Sequence, residues 1–239
     1  MRFDIITIFP ELFSSFISQA LIARAIKKKI IAVIPHDLRQ WTSDAHRSVD
    51  GRPYGGGPGM VLLAEPIIKG LAVIKRQTRT KKHQLVVLFS AKGKTFIQST
   101  ARRWAQKYEQ ITFICGRYEG IDERIADTIV DEEISIGDYV LFGGELPAMV
   151  AMEAVTRLLP SAMGKEASLI NESFKIQDEK AGYDFLEYPH YTRPEKLIIN
   201  GKKKNVPKVL LSGNHCAIAH WREKHTKWRK KILNLKWDK

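Results

Sequence analysis

The sequence predicts an α/β protein with a larger N-terminal part built on a parallel sheet and a small, mainly helical, basic C-terminal part. Strand-like and helix-like periods alternate through residues 1–160, which is typical of a parallel sheet with covering helices. With 239 residues, 44% of them hydrophobic and 27% charged, the chain is globular in composition and long enough to bury its own core. The excess of 39 Lys and Arg over 26 Asp and Glu favours a polyphosphate partner.

The first elements are a strand, a helix and a second strand. Arg2 to Phe9 is rich in isoleucine and predicts a strand. Pro10-Glu11 is typical of a helix start, because proline loses nothing at the first helical position. An apolar stripe then predicts one helix, and Ile30 to Ile34 predicts the next strand. The stripe consists of Leu12, Phe16, Ala20 and Ala23.

The alternation continues after a long loop rich in glycine and proline. Each later element is either a short apolar run or a segment of helical period opened by a suitable residue. They are a helix opened by Glu65-Pro66, a strand at Leu85 to Phe89, a helix at Thr95 to Lys107, a strand at Gln110 to Cys115 and a helix from Glu145.

Composition divides the chain into three segments, 1–160, a linker at 161–175 and 176–239. Residues 1–160 hold 22 basic and 17 acidic residues, whereas 176–239 hold 15 and 7, a net charge of +8. We expect the C-terminal part to bind a phosphate backbone; a merely solubilising surface is the alternative. A basic helical stretch is predicted at Ile218 to Leu235, where tryptophans could stack on unpaired bases or form the core. For Trp221 we favour the core.

Several classes of protein are excluded. The apolar runs fall far short of the roughly 20 residues that cross a bilayer, and the start of the chain has no cleavage-site pattern. We therefore expect a cytoplasmic protein without a membrane partner. Cys115 and Cys216 are too few for a disulfide framework or a structural zinc site, and we expect both to be buried.

Glycines cluster where strands are expected to end, in the segments Ser90–Gly93, Cys115–Gly120 and Ile136–Pro147. The first two of these segments follow predicted strands. In open α/β sheets ligands bind outside the carboxyl ends of strands, so these loops could form one pocket. None matches G-x-G-x-x-G or a P-loop lysine pattern, which disfavours an ordinary dinucleotide or nucleoside triphosphate site. Any single glycine could be a turn residue only. A fourth run, Arg52 to Met60, indicates a mobile binding loop or a plain linker.

Several long motifs together resemble one family, the bacterial tRNA (guanine-N1)-methyltransferases, which form the TrmD family of the SPOUT superfamily. The resemblance runs nearly end to end and implies a deep trefoil knot in the N-terminal part, a homodimer with its active site at the subunit interface, and S-adenosylmethionine bound in the knot. The motifs are Ile8–Phe13, Arg52–Met60, Cys115–Arg124, Ser135–Ala148, His190–Glu195 and Leu210–His215.

The resemblance also implies site residues. The cofactor-binding positions are Ser90, Gly93, Gly116, Tyr118, Gly120, Ile136, Gly137, Tyr139, Leu141, Gly143, Gly144 and Pro147. Arg157 matches the family's catalytic arginine, and Glu172 stands where the family has the aspartate that takes the N1 proton. Magnesium is implied as well, with Glu119 as its expected ligand.

The implied reaction is methylation of N1 of guanine 37 in tRNA, next to the anticodon, with no DNA partner. Because an enzyme cannot reach the edge of a stacked base, we expect the guanine to be flipped out. Two alternatives are a non-catalytic RNA-binding or assembly protein with the same fold, and a SPOUT enzyme that methylates ribosomal RNA. The changed carboxylate at Glu172 motivates the first of these.

Overall fold

The computed structural model describes residues 1–77, 83–163, 172–174, 177–178 and 183–230. Contacts divide the chain into an N-terminal unit, Met1–Gly164, and a C-terminal unit, Lys165–Lys239. Most of the expected linker, 161–175, lies outside the described residues, so its bounds stay a prediction.

The N-terminal unit contains a five-stranded, wholly parallel sheet in the order β2-β1-β6-β5-β7. Its strands are β1 Arg2–Thr7, β2 Ala32–Asp37, β5 Gln84–Thr95, β6 Gln110–Cys115 and β7 Glu132–Ser135. A two-stranded antiparallel ribbon is formed by β3 Asp50–Gly51 and β4 Val61–Leu62. The predicted α/β class with a parallel sheet is therefore confirmed.

Six α-helices among the described residues of this unit connect and flank the strands. They are α1 Ser14–Ser18, α2 Ala20–Lys27, α3 Ala64–Gln77, α4 Gln98–Lys107, α5 Glu123–Thr128 and α6 Glu145–Thr156, with short 3-10 turns at Pro10–Phe13 and Leu38–Trp41.

The core lies on both faces of the sheet because successive strand residues point to opposite sides. In β1, Phe3 and Ile5 join one apolar cluster and Ile6 joins the other. Phe3 stacks on Phe113 of β6 with ring centroids 5.9 Å apart, and Trp104 of α4 covers the same face. Burial on both faces explains why these strands read as continuous apolar runs.

The first predicted helix is wrong in detail. The chain forms a 3-10 turn, α1 and α2, and the break falls at Ala20, whose φ of 53° lies in the left-handed region. This break resets the helical period, so the buried residues are Phe13, Ile22 and Ala25, while Leu12 is exposed. A stripe that assumes one continuous helix cannot locate them.

The C-terminal unit mixes strands and helices. Its strands β8 Gln177–Asp178, β9 Tyr183–Leu186 and β12 Lys227–Lys230 form an antiparallel sheet, and β10 Lys196–Ile199 pairs with β11 Lys202–Asn205. Its helices are α7 Lys208–Leu211 and α8 His215–His225. The expectation of a mainly helical domain is therefore wrong for the described residues.

The predicted basic helix ends earlier than expected. Thr226 is extended, with φ −63° and ψ 138°, and residues 227–230 then pair with β9 as a strand. Trp221, expected in the core, packs on other rings but is not buried. Positions 231–235 of the predicted helix lie outside the described residues.

No helix within the described parts of the chain is both long enough and apolar enough to span a membrane.

Candidate active site

A cleft of about 510 Å³ opens at the carboxyl ends of β6 and β7 and beside residues 88–92 of β5. The three glycine-containing segments predicted from the sequence line it together, as expected from parallel strands that end at one edge of a sheet. The predicted residues that line it are Ser90, Gly116, Tyr118, Glu119, Gly120, Ile136, Gly137, Tyr139, Leu141, Gly143, Gly144 and Pro147.

Two adjacent glycines let the segment before α6 cross the end of β6. A Cβ atom at Gly144 would lie 2.7 Å from the Cα atom of Cys115, and one at Gly143 would lie 2.3 Å from Nε of Arg117. The Gly144 amide donates to the Gly116 carbonyl at 3.0 Å. This close approach permits no side chain, so both glycines are needed to bring the two segments together.

A buried ion pair that the sequence analysis missed fastens the same crossing. Glu145 is 1% exposed; it accepts a hydrogen bond from Thr7 Oγ1 at 2.7 Å and another from Arg117 Nε at 2.9 Å. The Arg117 guanidinium also lies 4.7 Å from the centroid of the Phe9 ring. A buried carboxylate requires hydrogen-bond donors or a counter-charge, and here these partners connect β1, the loop after β6 and α6.

The loop that follows β6 also contacts the end of the glycine run at 52–60. The Glu119 amide donates to the Met60 carbonyl at 3.0 Å, and the Leu62 amide donates to the Gly120 carbonyl at 3.0 Å. Gly59 has φ +83°, and a side chain there would collide with the Glu119 carboxylate. The end of this run is therefore fixed against the cleft, while Tyr54 in its middle is fully exposed.

The cleft suits a ligand recognised by backbone groups and apolar surfaces. A Cβ atom at Gly120 would meet nothing within 4 Å, so the missing side chain leaves the backbone open to a ligand. Tyr118 has φ 59°, an uncommon left-handed conformation that turns the loop between Gly116 and Gly120. At the rim, the Glu123 carboxylate pairs with Lys92 and raises the pKa of that lysine.

Gly93 does not line the cleft. The structure continues β5 through this position to Thr95, with a break in its pairing with β7 between Phe89 and Lys94. A Cβ atom at Gly93 would lie 2.5 Å from the backbone nitrogen of Ile134. The absence of a side chain at this position therefore serves the close packing of two strands.

The two expected catalytic residues belong to different units, and Arg157 does not line this cleft. Arg157 caps the C-terminal end of α6 and borders a separate apolar depression of about 260 Å³. The first turn of α6 borders the cleft, and its 12 residues rise by about 18 Å, so Arg157 lies at the far end of the helix. Glu172 is half-buried and belongs to the C-terminal unit. The roles of both residues stay predictions.

Across the described residues, no cluster of three or more His, Cys, Asp or Glu side chains could hold a metal ion. Burial raises the pKa of the Cys115 thiol well above its usual value, so this cysteine is an inert apolar group. Cys216 is exposed, and the expectation that it is buried is wrong.

The fold and the cleft define a class: an open parallel α/β protein with a glycine-lined ligand site where its central strands end. Comparison with known proteins is more specific. The sequence model of one family, tRNA (Guanine-1)-methyltransferase TrmD, matches residues 1–235. The chain belongs to this family.

Curated relatives match the sequence of this chain over nearly its full length. A tRNA (guanine-N(1)-)-methyltransferase of Carboxydothermus hydrogenoformans is 46% identical over 226 residues, 95% of this chain and 83% of the relative. Proteins of the same name from Heliobacterium modesticaldum and Clostridioides difficile are 47% and 45% identical over 226 residues. The match to the Heliobacterium modesticaldum protein covers 94% of this chain and 79% of that relative. The match to the Clostridioides difficile protein covers 95% of this chain and 92% of that relative.

Proposed function

We propose that this protein transfers a methyl group from S-adenosylmethionine to N1 of guanine 37, next to the anticodon of tRNA. The family match from residue 1 to 235, together with a cleft formed by the loops expected to bind the cofactor, carries this conclusion. The same match argues against a ribosomal RNA target and against a purely structural role, since the relatives are named as tRNA methyltransferases.

The cofactor-binding loops suit S-adenosylmethionine. Open glycine backbone can reach the polar edges of adenine and ribose, while Tyr118, Tyr139 and Leu141 offer apolar contact. The cofactor supplies an electrophilic methyl group on a sulfonium sulfur. We place the trefoil knot of the SPOUT fold at this cleft; the tight crossing of Gly143 and Gly144 over the end of β6 supports it.

Glu172 is the proposed general base and Arg157 the proposed electrostatic stabiliser. As the bond from N1 to the methyl carbon forms and the sulfur–carbon bond breaks, the N1 proton passes to the Glu172 carboxylate. The Arg157 guanidinium offsets the negative charge that develops on the guanine oxygen. Glutamate is one methylene longer than the family's aspartate but performs the same chemistry.

The position of Arg157 favours an active site shared between two copies of the chain. Within one chain, Arg157 lies about 15 Å along α6 from Pro147, the residue of this helix that lines the cleft. An arginine that acts on the substrate must contact it, so Arg157 would serve the cleft of a second copy.

One face of α6 suits this pairing. Leu146, Val150 and Glu153 are exposed and lie on the same side as Arg157, at spacings of four, three and four residues. Val140 and Phe142, at the rim of the cleft, are 87% and 94% exposed and extend the apolar surface. Antiparallel packing of two α6 helices about a two-fold axis would bring Arg157 of one copy to the cleft of the other.

Charged groups of the protein support two further partners, tRNA and magnesium. The net charge of +8 over residues 176–239 supports tRNA binding by the C-terminal unit, in the cytoplasm where tRNA is modified. Glu119 lines the cleft and is the carboxylate that would hold magnesium. Because Mg²⁺ keeps several waters and takes substrate oxygens, one protein carboxylate is compatible with such a site, where the ion would offset negative charge.

Methyl transfer to matched transcripts tests the proposed specificity. Purified protein, labelled S-adenosylmethionine and magnesium are incubated with tRNA transcripts that differ only in guanine or adenine after the anticodon. We expect label in the guanine transcript alone, because only guanine presents a protonated N1 beside a carbonyl oxygen. Label in both transcripts, or in neither, would contradict the proposal.

The role of the base is tested by Glu172→Gln, which keeps the shape but cannot accept the proton. Single-turnover transfer should fall by about 100-fold or more, since positioned bases contribute roughly 10²–10⁴-fold. Cofactor affinity, measured by calorimetry, should be unchanged. An unaltered single-turnover rate would remove Glu172 from the chemistry.

A further inference from the structure

The C-terminal unit contains a cavity of its own, with a volume of about 540 Å³. The segment Tyr188–Arg193 forms one side of it, and Trp221 and Arg222 of α8 form another. No residue of the cofactor cleft lines it. Its size lies within the range of small-ligand sites.

Aromatic rings that line this cavity, and the neighbouring His225 ring outside its lining, are held in fixed orientations. The Trp221 and His225 rings stack with centroids 4.0 Å apart, and His225 Nδ1 lies 2.7 Å from the Trp221 carbonyl oxygen. Tyr191 meets Trp221 edge-on at 6.1 Å. The Arg222 guanidinium lies over the Tyr188 ring, 5.0 Å from its centroid. Fixed aromatic surface loses little conformational entropy when a planar ligand stacks on it.

The cluster is not a closed core. None of the residues of this unit whose burial the structure describes is buried, and Tyr191 remains 49% exposed. Rings that served only to stabilise the unit would be covered by apolar neighbours. Here aromatic surface faces an open cavity that also has Arg193 and Arg222 in its lining, with Glu195 as a carboxylate.

We propose that this cavity binds one unpaired nucleotide of the tRNA, other than the guanine that is methylated, by stacking its base on Tyr191 and Trp221. Aromatic platforms flanked by arginines are the usual means of holding single-stranded nucleic acid, because every base has a π-face and every linkage a negative charge. The net charge of +8 over residues 176–239 favours RNA over a peptide as the occupant. This inference rests on the proposed function for the identity of the RNA.

Equilibrium binding of full-length tRNA transcripts, without cofactor, tests the proposal. Tyr191→Ala should weaken binding by about tenfold, since stacking contributes roughly 1–3 kcal/mol per base. Tyr191→Phe keeps the ring and should bind within twofold of the unaltered protein. Ile198→Ala is the matched control: Ile198 is an exposed apolar residue of the same unit, outside the cavity, and its truncation should not change affinity.

A set of transcripts with one abasic position each identifies the nucleotide. The effect of Tyr191→Ala should disappear for one unpaired position other than the methylated guanine, because the base that stacks on Tyr191 is then already missing. Binding of Tyr191→Ala within twofold of the unaltered protein would overturn the inference, as would an effect that persists at every abasic position or disappears only at the methylated guanine. Methyl transfer is measured separately, so its failure would refute the proposed function without deciding this point.

Discussion

At the scale of single residues, the clearest structural feature of the cleft is the contact among Thr7, Arg117 and Glu145. Glu145 accepts from both partners, and the hydroxyl donor lies 138 positions away in the sequence. Arg117 belongs to the loop after β6, and Glu145 begins α6. The pair therefore holds two loops of the cleft, which we propose bind the cofactor, at a fixed separation.

Removing the charge of Glu145 should loosen both loops. In Glu145→Gln the shape is kept, but the half-buried Arg117 loses its counter-charge. We expect the free energy of unfolding to fall by about 3 kcal/mol, the usual order for a broken buried ion pair, and the Kd for S-adenosylmethionine to rise about tenfold. Denaturant unfolding and calorimetry measure these two effects.

Glu11→Gln provides the comparison, because Glu11 is an exposed glutamate on the 3-10 turn after β1 and should change neither quantity. If Glu145→Gln bound the cofactor as tightly as the unaltered protein, the ion pair would have no positioning role.

These residues also show what a sequence can and cannot predict. The position of the glycines at 116, 120, 143 and 144 beside the cleft could be predicted from the sequence. Glycines and the ends of strand-like apolar runs can both be recognised from a few neighbouring residues. The Thr7–Glu145 contact could not, because it depends on how distant segments cross. Gly93 was assigned to the cofactor from resemblance, whereas it packs against the backbone of β7.

At the scale of elements, the sequence predicts four of the five strands of the sheet, and β6 has the predicted bounds, Gln110–Cys115. β7 is not among the predicted strands. Buried parallel strands give unbroken apolar runs, which are strong signals. The helix after β1 was less predictable because a left-handed residue, Ala20, interrupts it and carries no glycine or proline signal.

The C-terminal elements show a different limit. The helix His215–His225 and the strand at 227–230 both contain tryptophan and basic residues, so the sequence predicts one continuous basic helix across them. Residues 227–230 form a strand because they pair with Tyr183–Leu186, a partner more than 40 positions earlier. Pairing over that distance overrides local preference.

At the scale of the whole molecule, the two units differ in net charge and in the kind of cavity that each contains. The N-terminal unit supplies the sheet and the cleft, and the C-terminal unit carries the basic excess and the aromatic cavity. The exposed face of α6, which ends at Arg157, is the surface on which we propose that a second copy of the chain packs. Each active site would then be built from two chains.

A heterodimer with one defect in each chain tests this claim most directly. One chain carries Arg157→Ala; the other carries Gly116→Leu, which fills the cleft at a position where a Cβ atom meets only ordinary contacts. Each variant alone should be inactive. The heterodimer, purified through two different tags after co-expression, should recover about half of the unaltered methyl-transfer activity, because one of its two sites combines an intact cleft with an intact Arg157. A heterodimer as inactive as its parents, or a chain that forms no dimer, would contradict the account.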